Sequence, residues 1–401
     1  MPNEKLPPPQ GTKVIAKIRL SYLVTVAVAV ALVLVGHRFA MQGISIFQGT
    51  QETVKAKVTG IVERVAKDDS IDEMTFMLTG GPRTVFQAQI RGGPRDGEVV
   101  PATQTFGSVY SPSKEVEPGD MVLLEASTLF ESGWSFIAYP RLDRMLVIVI
   151  LFGICVLVFG RAKGFNTLLS LSLTCAAVFA VFIPAIFSGK NIYVMAMLVC
   201  VYTTAATLLI VIGFNRKSLA AAAGCFCGIA STAIIILVMN KVLFLTGLVD
   251  ETSWTIVNMI VRDGGALNLQ AVVFAGIIIG AMGAVMDVAV SISSSLWEVK
   301  ESAPGIKFDE LLKSGMAIGR DVFGATANTL ILAYIGTSLS VILILLGTTD
   351  SFATLLNREL VVVEIMQAVA GSLGILLTMP LTSIVCSTVY LKDRGRIRQL
   401  P

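Results

Sequence analysis

The sequence predicts an all-α polytopic membrane helix bundle of eight transmembrane helices, with one small all-β extracytoplasmic domain. Three observations predict it. The 401 residues are 54% apolar and 15% charged, whereas soluble domains run near 45–50% apolar and about 25% charged; the mean hydropathy is +0.77. The apolar residues gather into eight runs, each near the roughly 20 residues that a hydrocarbon core requires. The one long polar stretch, residues 41–140, alternates with a period of two. This composition excludes a soluble enzyme and a disordered chain. It likewise excludes a nucleic-acid binder built on a basic face, whereas the net charge of +3 says little as a total.

The runs fall at about 19–36, 143–160, 165–187, 191–213, 219–245, 269–295, 322–346 and 361–390. Lys13, Lys17 and Arg19 precede the first, as in a signal peptide, but Gly36-His37-Arg38-Phe39-Ala40 offers no small-x-small cleavage site. An uncleaved anchor is expected. With the N-terminus inside, basic residues fall on the inner side: Lys5, Lys13, Lys17 and Arg19, Arg161 and Lys163, Arg216 and Lys217, Lys300, Lys307, Lys313 and Arg320, and Lys392, Arg394, Arg396 and Arg398. The short outer segments carry only Lys190, Lys241, Arg262 and Arg358. The positive-inside rule therefore places both termini in the cytoplasm. Residues 1–40 form the cytoplasmic N-terminus and first span, 41–140 the outer domain, and 141–401 a seven-helix membrane domain with a cytoplasmic C-terminus.

In the outer domain, Val54, Ala56 and Val58 alternate with Lys55, Lys57 and Thr59, and Phe86, Ala88 and Ile90 with Gln87, Gln89 and Arg91. Turns are marked by Gly80-Gly81-Pro82, Gly92-Gly93-Pro94, Asp96-Gly97 and Glu117-Pro118-Gly119-Asp120. A small closed barrel or a sandwich fits, acting either as a structural cap or as a surface that binds a partner. Three short amphipathic pieces are expected at the interface: one near 252–263 around Trp254, Val257, Ile260 and Val261, one with Phe308, Leu311, Leu312 and Met316, and one with Phe352, Leu355 and Leu356.

Soluble-enzyme chemistry has little to work with. A single histidine, His37, precludes a two-histidine metal site, and there is no G-x-x-x-x-G-K-[ST] loop and no G-x-S-x-G elbow. The six cysteines lie in apolar stretches, and Cys225 and Cys227 read as small core residues rather than metal ligands. The sequence identifies no cofactor.

Polarity inside the spans carries the functional expectation. At helical spacing Gly276, Gly280, Gly283, Asp287, Ser291 and Ser294 share one face of the sixth span. A carboxylate there costs roughly 2.5–3.5 kcal/mol on insertion scales, so Asp287 is expected to face protein or water. Gly276 and Gly280 would admit another helix backbone. The seventh span offers Asp321 and Asn328, the latter at a depth similar to Asp287. The eighth carries Glu364, Gln367, Gly371, Gly374 and Thr378 on one face. Gly224 and Gly228 in the fifth read as close packing, and Lys241 could pair with Asp250, Glu251 or Glu364.

At these residues the chain resembles the YibE/F family of bacterial multi-pass membrane proteins. The resemblance rests on the run Gly283 to Ser294, on Gly319-Arg320-Asp321 with Asn328-Thr329-Leu330, and on Pro118-Gly119-Asp120-Met121-Val122. It implies a polytopic protein of the bacterial cytoplasmic membrane and a permease label, and names no substrate.

Two functions remain open. One is a non-ATP-driven permease or exporter subunit in which Asp287 couples a proton or cation, with Ser291 and Asn328 beside it. The other is a non-transporting scaffold whose outer domain binds a partner and whose polar faces merely pack. A homo-oligomer suits either, and the lipid bilayer is the one partner common to both. No inverted repeat is visible.

Overall fold

The computed structural model describes residues 10–42, 52–65, 83–105, 114–127, 133–249, 253, 267–348 and 351–392. The chain divides into two compact units, Phe47–Val156 and the remainder. The expected outer helix near 252–263 lies outside the described residues, Ser253 excepted.

The smaller unit holds five strands, β1 (Thr53–Val65), β2 (Arg83–Ile90), β3 (Val99–Thr105), β4 (Met121–Ala126) and β5 (Trp134–Ala138). They close in the order β1-β2-β3-β5-β4, which makes the all-β domain a barrel rather than a sandwich. The alternation predicted from sequence is the barrel's inside and outside. Ala56, Val58, Phe86, Ala88 and Ile90 are buried, with Val100, Val122, Leu124 and Trp134 completing the core. The Glu117–Asp120 turn is fastened to β1 at Val58: Gly119 N donates to Val58 O and Val58 N to Asp120 O, each at 2.8 Å. Gly119 has φ +97°, a conformation that suits a residue without Cβ.

The larger unit is a helical membrane bundle. Seven helices among the described residues are long and apolar enough to cross a membrane. They begin with α1 (Gln10–Ala40). Then comes α2 (Leu142–Ala176), whose first part, up to Val156, is counted with the smaller unit and which runs through a π-helical segment (Ala177–Phe182) into α3 (Ile183–Phe187). The others are α4 (Ile192–Val211), α5 (Arg216–Val242), α6 (Leu269–Ser302), α7 (Phe308–Thr348) and α9 (Glu359–Leu391), with a short α8 (Phe352–Leu356) before the last.

Eight spans are expected from sequence and seven helices are found, and the difference sits in one stretch. Leu142–Phe187 counts as one 46-residue span, about twice the roughly 20 residues that a hydrocarbon core requires, but two helices meet within it across a kink. Its dihedrals break at Arg161 (φ 48°, ψ −129°), between the two predicted runs. A residue with a Cβ rarely adopts that conformation. The inner amphipathic piece at Phe308–Met316 is not a separate interfacial helix but the start of the 41-residue α7, because Leu311 is buried and ties that turn to the core.

Side-chain caps set several helix starts. The Oδ1 atoms of Asn191, Asn215 and Asn268 accept from the backbone N–H of Val194, Ser218 and Ala271. At the centre, α9 packs against α5, α6 and α7, and α6 packs against α4, α5 and α7. Along its length α1 is clasped by hydrogen bonds: Tyr22 Oη donates to Asn166 Oδ1 (2.8 Å), Tyr202 Oη to Ala29 O (3.1 Å) and Ser188 Oγ to Ala40 O (2.7 Å).

Candidate functional site

Helix α6 has two faces, and the core takes the bulky one. Phe274, Ile278, Val285, Ile292 and Leu296 are buried, because large aliphatic and aromatic groups fill the space between four helices as small residues cannot. Gly276, Gly280, Gly283 and Asp287 consequently point outward from the single chain, while Ser291 and Ser294 are half-buried. The face read from sequence is therefore a real face, but its packing role needs correction. A Cβ on Gly276 or Gly283 would meet nothing within 4 Å, so no helix of this chain closes on them. No hydrogen bond or ion pair among the described residues holds the Asp287 carboxylate.

Close approach occurs elsewhere. A Cβ on Gly224 would collide with Thr382, one on Gly228 with Thr378, and one on Gly374 with Thr232. The pairs advance by four on α5 while retreating by four on α9, the register of an antiparallel small-residue seam. Thr232 Oγ1 donates to Gly228 O (2.9 Å) and Thr378 Oγ1 to Gly374 O (2.7 Å), each within its own helix. Gly224 and Gly228 thus have the packing role expected, against Thr382 and Thr378. At the far end of the seam, Ser293 Oγ contacts Tyr390 Oη at 2.6 Å and donates to Lys217 O at 2.8 Å, joining α5, α6 and α9.

A second polar group lies between the C-terminal half of α7 and the N-terminal half of α9. Tyr334 reaches between two glycines: a Cβ on Gly280 would stand 3.2 Å from its Oη, and one on Gly371 3.6 Å. Gln367 Nε2 stands 4.0 Å from the same position at Gly280. A cleft of about 370 Å³ opens beside them, with Tyr334, Ser338 and Glu364 among its walls. The hydroxyl of Ser338, a residue only 4% exposed, has no hydrogen-bond partner among the described residues, and neither does the buried Asn240 amide.

The structure therefore separates the sequence candidates into three places. Asp287 and Ser291 lie on the outward face of α6. Glu364 and Gln367 join Tyr334, Ser338 and Gly280. Asn328 and Asp321 are exposed on α7. Asn328 follows Gly319, the α7 position facing Ile292 of α6, by nine residues. Nine steps of about 100° put it on the opposite side of that helix, so Asn328 is not brought to Asp287. Lys241 is exposed and forms no ion pair with Glu364 among the described residues. Glu359 instead ties the loop after α5, accepting from Thr246 N (2.7 Å), Thr246 Oγ1 (2.7 Å) and Gly247 N (2.5 Å).

Sequence reasoning missed Tyr334 and Ser338, whose spacing of four on an apolar helix was the available signal. The cysteines divide: Cys200, Cys225 and Cys386 are buried, but Cys155, Cys175 and Cys227 are exposed rather than core. Cys225 and Cys227 point to different surroundings, which corrects the reading of both as core. Among the described residues no cluster of His, Cys, Asp and Glu could hold a metal.

A protein-family model described as YibE/F-like protein matches residues 148–392. No curated protein and no solved structure matches the chain.

Proposed function

We propose that this chain, which belongs to the YibE/F-like family, is a subunit of a non-ATP-driven permease or exporter of a bacterial cytoplasmic membrane. One observation carries the reading. Gly280 shares the outward face of α6 with Asp287 and also abuts Tyr334 and Gln367, and Tyr334 shares a cleft with Glu364. Two carboxylates at different depths thus border one polar line, Glu364 near the start of α9 and Asp287 two turns of α6, about 10.5 Å, beyond Gly280. Ionisable groups at membrane depth mark ion pathways when they face water or a neighbouring subunit. In this reading the Asp287 face borders water or a second copy, not lipid, and Asp287 takes up and releases the coupling proton or cation. Asn328 and Asp321 drop out of the coupling set.

The inward-basic distribution supports eight spans with both termini cytoplasmic and the barrel outside. The long segment Leu142–Phe187 then crosses twice, turning at Arg161. The rival reading is a scaffold, and the observation that favours it is the α5–α9 seam, where threonines and glycines interlock without a hydrated gap.

Purified full-length chain in proteoliposomes with an internal pH dye decides between them. The wild type is expected to pass protons under an imposed gradient, and Asp287→Asn to abolish the flux at unchanged abundance. An Asp287→Asn variant as active as wild type overturns the coupling role. A wild type that carries nothing leaves the scaffold.

A further inference from the structure

We propose that the cleft between α7 and α9 binds an amphipathic organic cation, with Glu364 as its counter-ion. This names the substrate class of the permease proposed above and rests on that reading for its transport consequence.

The cleft's chemistry is lopsided. Ile335, Ile342, Val361, Ile365 and Val369 make its walls apolar, and the acid among them is Glu364. No Lys or Arg lines it, and no described basic residue pairs with that carboxylate. A carboxylate beside hydrocarbon walls requires a positive partner or water. Ser338 adds a second argument. The residue is 4% exposed and lines the cleft, and its buried hydroxyl has no hydrogen-bond partner among the described residues. Buried hydroxyls are nearly always satisfied, so an unsatisfied one facing a cavity marks a place where a polar atom sits. The Tyr334 ring forms part of the same wall, and a cation can also settle against an aromatic face.

The volume, about 370 Å³, falls within the range of pockets that enclose small ligands. An acidic point, a hydroxyl and an aromatic ring in a greasy slot match a molecule with one positive centre and a bulky apolar body. A metal ion does not fit, because one carboxylate and one hydroxyl supply too few hard oxygen ligands. An anion is repelled by Glu364. A neutral acyl chain would fill the walls but leave Glu364 and Ser338 unanswered.

The probe is tetraphenylphosphonium, and the neutral comparison is triphenylphosphine oxide, both titrated onto the full-length chain in detergent by calorimetry. Saturable binding of the cation is expected, with the neutral compound at least tenfold weaker. Glu364→Gln should weaken cation binding at least tenfold at an unchanged melting temperature. Ser338→Ala should weaken it less, and Asp309→Asn, which removes a charge at the opposite end of α7, should leave it unchanged. Equal binding of both compounds, or full binding by Glu364→Gln, overturns the proposal and leaves an apolar slot for lipid chains. Should Glu364→Gln fail to fold, the ratio of cation to neutral affinity in the wild type still decides. Proton flux without cation binding defeats the cleft and spares the permease; cation binding without flux does the reverse.

Discussion

Thr378 of α9 occupies the space that a Cβ on Gly228 of α5 would need, and one turn along the seam Thr232 returns the favour at Gly374. Each threonine hydroxyl is answered inside its own helix, by the carbonyl four residues earlier. The seam is therefore held by shape and not by hydrogen bonds across it. That matches the physics of helix association in lipid, where close backbone approach brings dispersion contacts and no hydrophobic driving force is available.

A shape-held seam separates two substitutions. Gly228→Val inserts atoms where Thr378 already stands, and overpacking of this kind costs about 1–3 kcal/mol. Thr378→Val keeps the shape and loses only a hydroxyl bonded back to its own helix, a bond that adds little to helix stability. Thermal unfolding in detergent should therefore show a clear drop in melting temperature for Gly228→Val and a small one for Thr378→Val. Equal drops would mean that the hydroxyl, not the glycine, holds the seam.

The barrel has its own pH signature. Burial alone would raise the Asp120 carboxyl. The N–H of Glu117, the ammonium of Lys114 and the hydroxyl of Tyr139 together hold it below the ordinary 3.8. The hydrogen bond and charge of Asp120, outweighing desolvation, in turn raise Lys114 above 10.5. A lowered carboxyl stabilises the fold fully above its unfolded value, and the contribution fades as pH falls past 3.8 and through the folded value. The raised ammonium contributes below 10.5 and is lost as pH climbs through its folded value. Asp120→Asn should therefore destabilise the β domain at neutral pH and make little difference at pH 2. The check is near-ultraviolet dichroism of the tryptophan-containing barrel against denaturant at both pH values. A neutral-pH stability equal to wild type would defeat this account.

The spans and the strands were legible for the same reason. Hydrocarbon thickness demands about 20 apolar residues, and a half-buried strand demands alternation; both are local. The orientation of α6 was not legible. Phe274, Ile278 and Val285 on one side and Gly276, Gly283 and Asp287 on the other define two faces, but which one meets the core depends on the volume left by α4, α5 and α9. The cleft was half legible. Glu364 and Gln367 carried polarity that stands out in an apolar run, whereas Tyr334 and Ser338 look like ordinary membrane-helix residues until α9 is placed beside them. Asn328 failed as a neighbour of Asp287 because matched depth does not set the rotation of a helix about its axis.

His37 anchors α1 to the π-helical segment. Its Nδ1 lies 2.6 Å from Ala180 O. A π-turn shifts the backbone hydrogen bonds from i+4 to i+5 and leaves carbonyls less well matched than in an α-helix. An imidazole N–H donating to that carbonyl answers one of them. His37→Phe keeps a ring and removes the donor, and the net loss of one such part-buried hydrogen bond is about 0.5–1.5 kcal/mol. The variant should loosen α1, seen as faster proteolysis between the first helix and the rest, while His37→Gln, which still donates, should recover most of the loss. Identical proteolysis of all three forms would show that the contact holds nothing.

The outward face of α6 offers the sharpest comparison of water against lipid. Gly283 and Ser291 flank Asp287 on that face, and Leu237 and Val238 are exposed on α5, at 47% and 55%. Exposure on a single chain cannot distinguish a lipid surface from a water-lined one, but thiol chemistry can, because the reactive species is the thiolate and it forms only where water stabilises the charge. In a chain whose six cysteines are replaced by alanine, Gly283→Cys and Ser291→Cys should react with a charged, water-soluble methanethiosulfonate in native membranes at least tenfold faster than Leu237→Cys or Val238→Cys. Adding the neutral Asp287→Asn change should slow a cationic reagent more than an anionic one, since the carboxylate concentrates positive charge near it. Silence at both Gly283→Cys and Ser291→Cys would mean that lipid or a dry partner helix covers the face. Asp287 would then be a buried, protonated packing residue, and the conduction reading would fall.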